Sequence, residues 1–183
     1  MGVPPALRPL LVHAVELRRQ PGASRRVSTS VDPGELGCES PVPGVRLSGA
    51  IGVDLTATSG ADDIGVTGSI TLTWTGPCRR CLTGIDRTVE VEVAERFVPP
   101  GHPAVDERAD GTTVIDGDQI DLAPILRDLA VLELPAAPLC REDCRGWCPQ
   151  CGAELSADSC GCETERRDPR WAALDGVVLD EPN

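Results

Sequence analysis

The chain has 183 residues, 40% of them hydrophobic and 25% charged, with a net charge of −12. That length suits one domain with a real core plus a small appended module. So acidic a body disfavours broad non-specific grip on nucleic acid and makes a basic protein partner electrostatically easier.

Residues 1–30 depart from this balance: Arg8, Arg18, Arg19, Arg25 and Arg26 oppose only Glu16, and the stretch reads as a solvated strand or arm. With one Phe, three Trp and no Tyr, the core must be built from Val, Leu, Ile and Ala. Arg8, Pro9 and His13 interrupt any secretory apolar run in residues 7–15. Nothing approaches the 18 or so apolar residues of a membrane helix. A cytoplasmic protein is expected, and in that reducing compartment clustered cysteines favour metal over disulfide.

Residues 11–17 and 25–31 read as weak strands. Period-2 alternation is much clearer in Val45, Leu47, Ile51, Val53 and Leu55. It recurs in Ile64, Val66, Ile70, Leu72 and Trp74, and again in Ile85, Val89, Val91, Val93 and Phe97. One-sided alternation of this kind predicts an antiparallel sheet with one solvated face. Residues 59–63 supply the first turn and 76–84 the second. Pro99 to Gly117 reads as a loop. The period then lengthens: Leu122, Ile125, Leu126, Leu129 and Leu132 follow helical spacing, with Asp121 as cap, Pro124 in the first turn and Pro135 beyond the end. Residues 139–165 hold too little apolar surface to fold without a cross-link. Asp168 and Pro169 predict a short terminal helix carrying Trp171 and Leu174.

The cysteine spacing carries the strongest chemical signal. Cys140, Cys144, Cys148, Cys151, Cys160 and Cys162 fall within 23 positions. Cys148-Pro149-Gln150-Cys151-Gly152 has the form of a metal knuckle, in which two thiolates grip one ion and following amides hydrogen-bond to the sulfurs. Tetrahedral zinc needs four ligands, so the first expectation is a structural zinc at Cys148, Cys151, Cys160 and Cys162. Four thiolates also suit an iron–sulfur cluster, and disulfides or free thiols are the remaining alternatives. Cys78-Arg79-Arg80-Cys81 sits at a hairpin tip. A redox pair would start a helix, which lowers a thiol pKa; here a strand pattern follows. A second zinc at Cys78, Cys81, Cys140 and Cys144 would pin the module to the sheet, although Cys140 and Cys144 have Cys148 and Cys151 as alternative partners. Cys38 reads as a small buried residue.

In order along the chain come Gly76-Pro77-Cys78-Arg79-Arg80-Cys81-Leu82, Ile120-Asp121-Leu122, Leu132-Glu133-Leu134-Pro135, Pro138-Leu139-Cys140, Cys144 to Gly152, and Asp168-Pro169-Arg170. This ordered set, spanning about residues 10 to 175, resembles the YceD family of large ribosomal RNA subunit accumulation proteins. The resemblance implies a role in accumulation or processing of large-subunit ribosomal RNA, and it carries over no catalytic residue.

Two competing functions have little support. His13 and His102 lack recognisable catalytic partners, and zinc held by four thiolates leaves no position for water. A phosphate-binding zinc ribbon does not fit the acidic 136–165 segment. Arg79, Arg80 and Arg145 form the expected interaction patch, with Arg141 possible beside them.

The expected protein is therefore α+β and non-catalytic. An antiparallel, barrel-like sheet and one helix at about 121–134 occupy residues 1–135. A zinc-knuckle module fills 136–165, and a short helix and tail complete 166–183. One or two structural zinc ions serve it. The partner is precursor large-subunit ribosomal RNA or a basic large-subunit ribosomal protein, with no membrane or small-molecule substrate.

Overall fold

A computed structural model describes residues 4–103, 112–155, 160–162 and 169–174. In chain order the elements are β1 (Leu11–His13), α1 (Ala14–Arg18), β2 (Ser24–Val31), β3 (Arg46–Leu47), β4 (Ile51–Ser59), β5 (Ile64–Pro77), β6 (Gly84–Val98), β7 (Thr112–Val114), β8 (Gln119–Asp121) and α2 (Ala123–Glu133). Pro5–Leu10 and Pro169–Leu174 are 3₁₀ segments. Part of the expected Pro99–Gly117 loop, the Asp168 cap and the Leu174 side chain lie outside the described residues.

The alternating pattern produces the main sheet. Ile51, Val53, Leu55 and Ala57 of β4 point inward, as do Ile64, Val66, Ile70, Leu72 and Trp74 of β5; all are buried. Strands β2, β4, β5 and β6 pair antiparallel in that order, and β7 adds to β6 in parallel. The expected barrel is corrected to an open sheet. Closure would require β2 to pair with β7, but β7 is three residues long and meets only β6 among the described residues.

The run expected as one strand from Val45 to Leu55 is two strands, β3 and β4, both on the same edge of β5. A turn at Gly49, with φ 74°, separates them. Ser48 N–H still donates to Thr73 O at 2.8 Å, which keeps the segment against β5 and leaves Val45 and Leu47 buried. The weak signals at the N-terminus resolve into β1, paired with β8, and the edge strand β2. Residues 14–18 are helical rather than extended.

The α2 helix starts where expected. Asp121 Oδ1 accepts the Ala123 N–H at 2.9 Å, and Pro124 lacks a donor that would otherwise need a partner. Leu122, Ala123, Leu126 and Ala130 join the core. Leu132 does not, and is 80% exposed. At about 100° per residue it lies roughly 120° around the helix from Leu126. Cys38 is buried in the same core, where desolvation raises its thiol pKa.

The β5–β6 hairpin positions the site. Its register runs from Ile64↔Phe97 to Pro77↔Gly84, well past the end of β4, with β3 covering the outer part. The loop 78–83 therefore projects from one end of the sheet.

Candidate metal centres at the hairpin tip

Cys78 begins the hairpin loop, and its backbone closes a tight pattern. Cys78 N–H donates to Thr83 O at 2.8 Å, and Leu82 N–H donates to Cys78 O at 3.0 Å. The Cys148 segment repeats this geometry at the same offsets: Cys148 N–H donates to Ala153 O at 2.8 Å, and Gly152 N–H to Cys148 O at 2.9 Å. Leu82 and Gly152 occupy the same place in the two loops, with φ of 63° and 70°. The hairpin tip is thus a second knuckle. Sequence reasoning identified that form only at Cys148, because the glycine that signals the left-handed position is a leucine at the tip.

After α2 the chain turns back along the hairpin. Arg79 N–H donates to Pro138 O at 2.8 Å, and Arg87 Nη2 to Cys140 O at 3.2 Å. Arg80 Nη1 donates to Cys144 O at 2.7 Å. Gly146, with φ 73°, passes so close that an added Cβ would lie 2.7 Å from Arg80 O. Trp147 Nε1–H then donates to Cys81 O at 2.6 Å. These clamps involve residues that the spacing of cysteines does not reveal.

The result is two groups of four sulfurs: Cys78, Cys81, Cys140 and Cys144, and Cys148, Cys151, Cys160 and Cys162. Within each, all four Sγ atoms lie within 4.8 Å of one another. Cys78 and Cys144 are 3.8 Å apart, and Cys81 and Cys140 3.6 Å. A disulfide requires about 2.05 Å. Four sulfurs at about 2.3 Å from a tetrahedral ion are about 3.8 Å from each other. Each group therefore has the donor set and spacing to hold a metal ion. The first group is largely buried, whereas Cys151 of the second is exposed and Cys160 and Cys162 are half-buried.

Electrostatics fits the same reading. Amide N–H groups of Cys81, Cys140 and Arg80 stabilise the Cys78 thiolate, which titrates at about 6. Cys148 likewise falls to about 6, through the amides of Cys151 and Gln150. Thr83, with its hydroxyl 3.3 Å from Cys81 Sγ, lowers the pKa of that thiol. The charge so gathered holds protons on the remaining sulfurs: Cys140 is pushed up to about 12 beside Cys81, and Cys162 to about 12 beside Cys151. A cation among the sulfurs removes that conflict, since metal ligation requires thiolates.

The interaction arginines separate into two kinds. Arg80 is engaged with carbonyl oxygens of the Cys-rich segment, and Arg141 pairs with Asp143 at 3.3 Å. Arg79 and Arg145 are exposed, and neither makes a side-chain hydrogen bond or ion pair among the described residues. The histidines stand apart: His13 Nδ1 lies 3.4 Å from Gln119 Nε2, and His102 Nε2 lies 3.0 Å from Asp62 Oδ2. Among the described residues no helix is long and apolar enough to cross a membrane.

Comparison with known proteins agrees with the ordered motifs. Residues 66–177 match the family described as Large ribosomal RNA subunit accumulation protein YceD. An uncharacterized protein of Mycobacterium tuberculosis is 35% identical over 169 residues, covering 91% of this chain and 80% of that protein. The Bacillus subtilis protein YlbN is 29% identical over 138 residues, 75% of this chain and 76% of its own. A shorter match, 36% over 56 residues, covers 31% of this chain and 17% of the Arabidopsis thaliana protein named Large ribosomal RNA subunit accumulation protein YCED homolog 1, chloroplastic. No solved structure matches the chain. With a profile match over more than half its length and its cysteines gathered at the hairpin tip, the chain belongs to the YceD family, whose description names a ribosomal RNA role and no enzyme class.

Proposed function

We propose that the protein is a non-catalytic factor that promotes accumulation of large-subunit ribosomal RNA in the cytoplasm, and that each four-cysteine group holds a structural zinc. The family match over residues 66–177 carries the ribosomal RNA role, and the first cysteine group carries the structural metal. Its thiols come from two stretches about 60 residues apart in sequence, 78–81 and 140–144. A metal there fastens the Cys-rich segment to the sheet, which supports a division into a β-rich body of residues 1–135 and a module of 136–165. Zinc with four thiolates has no open position for water, so it supplies shape rather than chemistry. Iron–sulfur clusters take the same ligands, and metal analysis separates the two.

The chain's own residues prepare the sites. Knuckle amides hold Cys78 and Cys148 as thiolates, Arg80 and Arg87 align the carbonyls of Cys144 and Cys140, and Arg79, Arg80 and Arg145 stand as cations against the net negative charge of a four-thiolate zinc. Purified wild type is expected to contain two zinc ions per chain, with Cys78→Ser and Cys148→Ser each losing one. Depletion in cells is expected to lower large-subunit relative to small-subunit ribosomal RNA, with restoration by the wild-type chain. An unchanged ratio would sink the functional reading, whatever the metal content.

A second reading is favoured by the solvated sheet face. Glu90 and Glu92 line an open concavity there, beside Asp54 and the Arg26 that pairs with it, and the whole chain carries −12. That face suits escort of a basic ribosomal protein. In-cell crosslinks to ribosomal RNA would favour direct contact, whereas protein crosslinks alone would favour escort.

A further inference from the structure

Leu82 combines two features that a folded chain normally avoids. Its backbone is left-handed, φ 63°, where glycine sits freely and L-residues are strained. The residue is also 70% exposed, so burial offsets little of that strain. The matching position in the second knuckle is Gly152, which shows that the loop closes without a side chain there. Backbone outliers of this kind concentrate at functional sites.

Trp147 lies alongside. Its Nε1–H holds Cys81 O, the carbonyl just before Leu82, yet the residue remains 47% exposed. The indole is thus fixed at the tip with much of its surface in water. Arg79 belongs to the same knuckle as Leu82, and Arg145 precedes Trp147 by two residues; both are exposed. The acids nearby are Glu142, Asp143, which pairs with Arg141, and Glu154, opposite Trp147 in a single bridge.

We propose that Leu82 and Trp147 form a platform for an unpaired RNA base, with Arg79 and Arg145 holding the flanking phosphates. An exposed ring beside cations is how single strands are bound without sequence readout. The same arginines oppose a basic ribosomal protein at this spot, which leaves the acidic sheet face as that partner's place. Because the body is acidic, contact is confined to the tip and to about two phosphates. The inference rests on the ribosomal RNA reading above and adds the contact surface and the kind of RNA it takes.

The test uses the full, metal-loaded chain and fluorescence anisotropy with a short labelled single-stranded RNA and its duplex. The single strand is expected to bind more tightly, with a slope of log affinity against log salt of about −1.4, or about −0.7 per phosphate. Leu82→Gly relieves strain and removes a mostly exposed side chain; losing its apolar contact with a base is expected to weaken binding about three- to ten-fold at unchanged zinc content. Trp147→Leu is expected to weaken it about ten-fold or more, and Trp147→Phe, which keeps a ring, by less. Preference for duplex, a much steeper salt slope, or wild-type affinity in both Leu82→Gly and Trp147→Leu would overturn the platform. So would retention of a basic ribosomal protein, rather than RNA, by this patch. If these variants fully restore large-subunit RNA in depleted cells, the platform fails while the family role stands; a wild-type chain that restores nothing removes the role itself.

Discussion

Single residues show how the sequence meets local demands of backbone and burial. Leu82 and Gly152 share one conformation in the two knuckles, and the leucine is strained by roughly 1–2 kcal/mol. Leu82→Gly should therefore raise stability by up to about 1 kcal/mol, since glycine's greater freedom in the unfolded chain cancels part of the relief. Thermal unfolding at fixed zinc would show it as a rise of about 2–4 °C. Gly68 makes the opposite case. It has φ 142°, and a Cβ there would lie 2.2 Å from Asp54 O on the neighbouring strand, an obstacle that no rotamer change removes. Gly68→Ala is expected to destabilise by roughly 2–4 kcal/mol, read by denaturant unfolding. Glu95 stands on the inward-facing set of β6, opposite Val66, and burial raises its carboxyl pKa. Because the folded state holds that proton longer than the unfolded chain, its favourable contribution exists below the ordinary carboxyl range and is lost as pH rises through the raised value. Glu95→Gln should thus be stabilising at neutral pH, by no more than a few tenths of a kcal/mol for a half-solvated group, with the advantage vanishing in acid.

At the scale of elements, periodicity made the long strands legible, gave β1 only a weak signal within residues 11–17, and left β7 and β8 unseen. Alternation in β4 and β5 marks a buried face directly, and Asp121-x-x-Pro124 marks the start of α2. The three-residue strands β1, β7 and β8 contain too few side chains to display a period, so their pairing comes only from tertiary contact. The turn at Gly49 was hidden because Val45 and Leu47 fall on the same face as Ile51 despite the break. Spacing also offered the two thiol sets whose sulfurs the fold gathers, while leaving Cys140 and Cys144 open to Cys148 and Cys151 as well, yet it was silent on the clamps from Arg80, Arg87 and Trp147, which depend on how the chain folds back. Those sets give a pH-dependent expectation. Cys78 and Cys148 remain thiolates down to about 6, and protons compete with metal for each of them below that value. Zinc retention by the loaded chain against a competing chromophoric chelator should be substantially weaker at pH 5 than at pH 7.5. Equal retention at the two pH values would argue against thiolate ligation.

For the whole molecule, the question is which part owes its shape to the sulfurs. The sheet has its own core, in which Leu55, Ile64, Ile70, Leu72, Phe97 and Leu126 are essentially out of water. Between Cys140 and Leu155 the buried apolar content is little more than cysteine itself, and the remaining ties are hydrogen bonds to the hairpin tip. Each such bond contributes only about 0.5–1.5 kcal/mol net, too little to order the roughly fifteen residues involved at about 1–2 kcal/mol each. Chelation should therefore leave the body folded and release the module. Hydrogen exchange after metal removal is expected to preserve protection in β4, β5 and the sheet-paired part of β6, while amides from 140 to 155 exchange rapidly and the tip at 78–83 loosens with them. The second group, more open to solvent and built from local residues, should yield its metal to a chelator first. Uniform collapse of protection across the sheet would show that the sulfurs hold the body as well, and protection retained at 140–155 would show that the segment needs no metal.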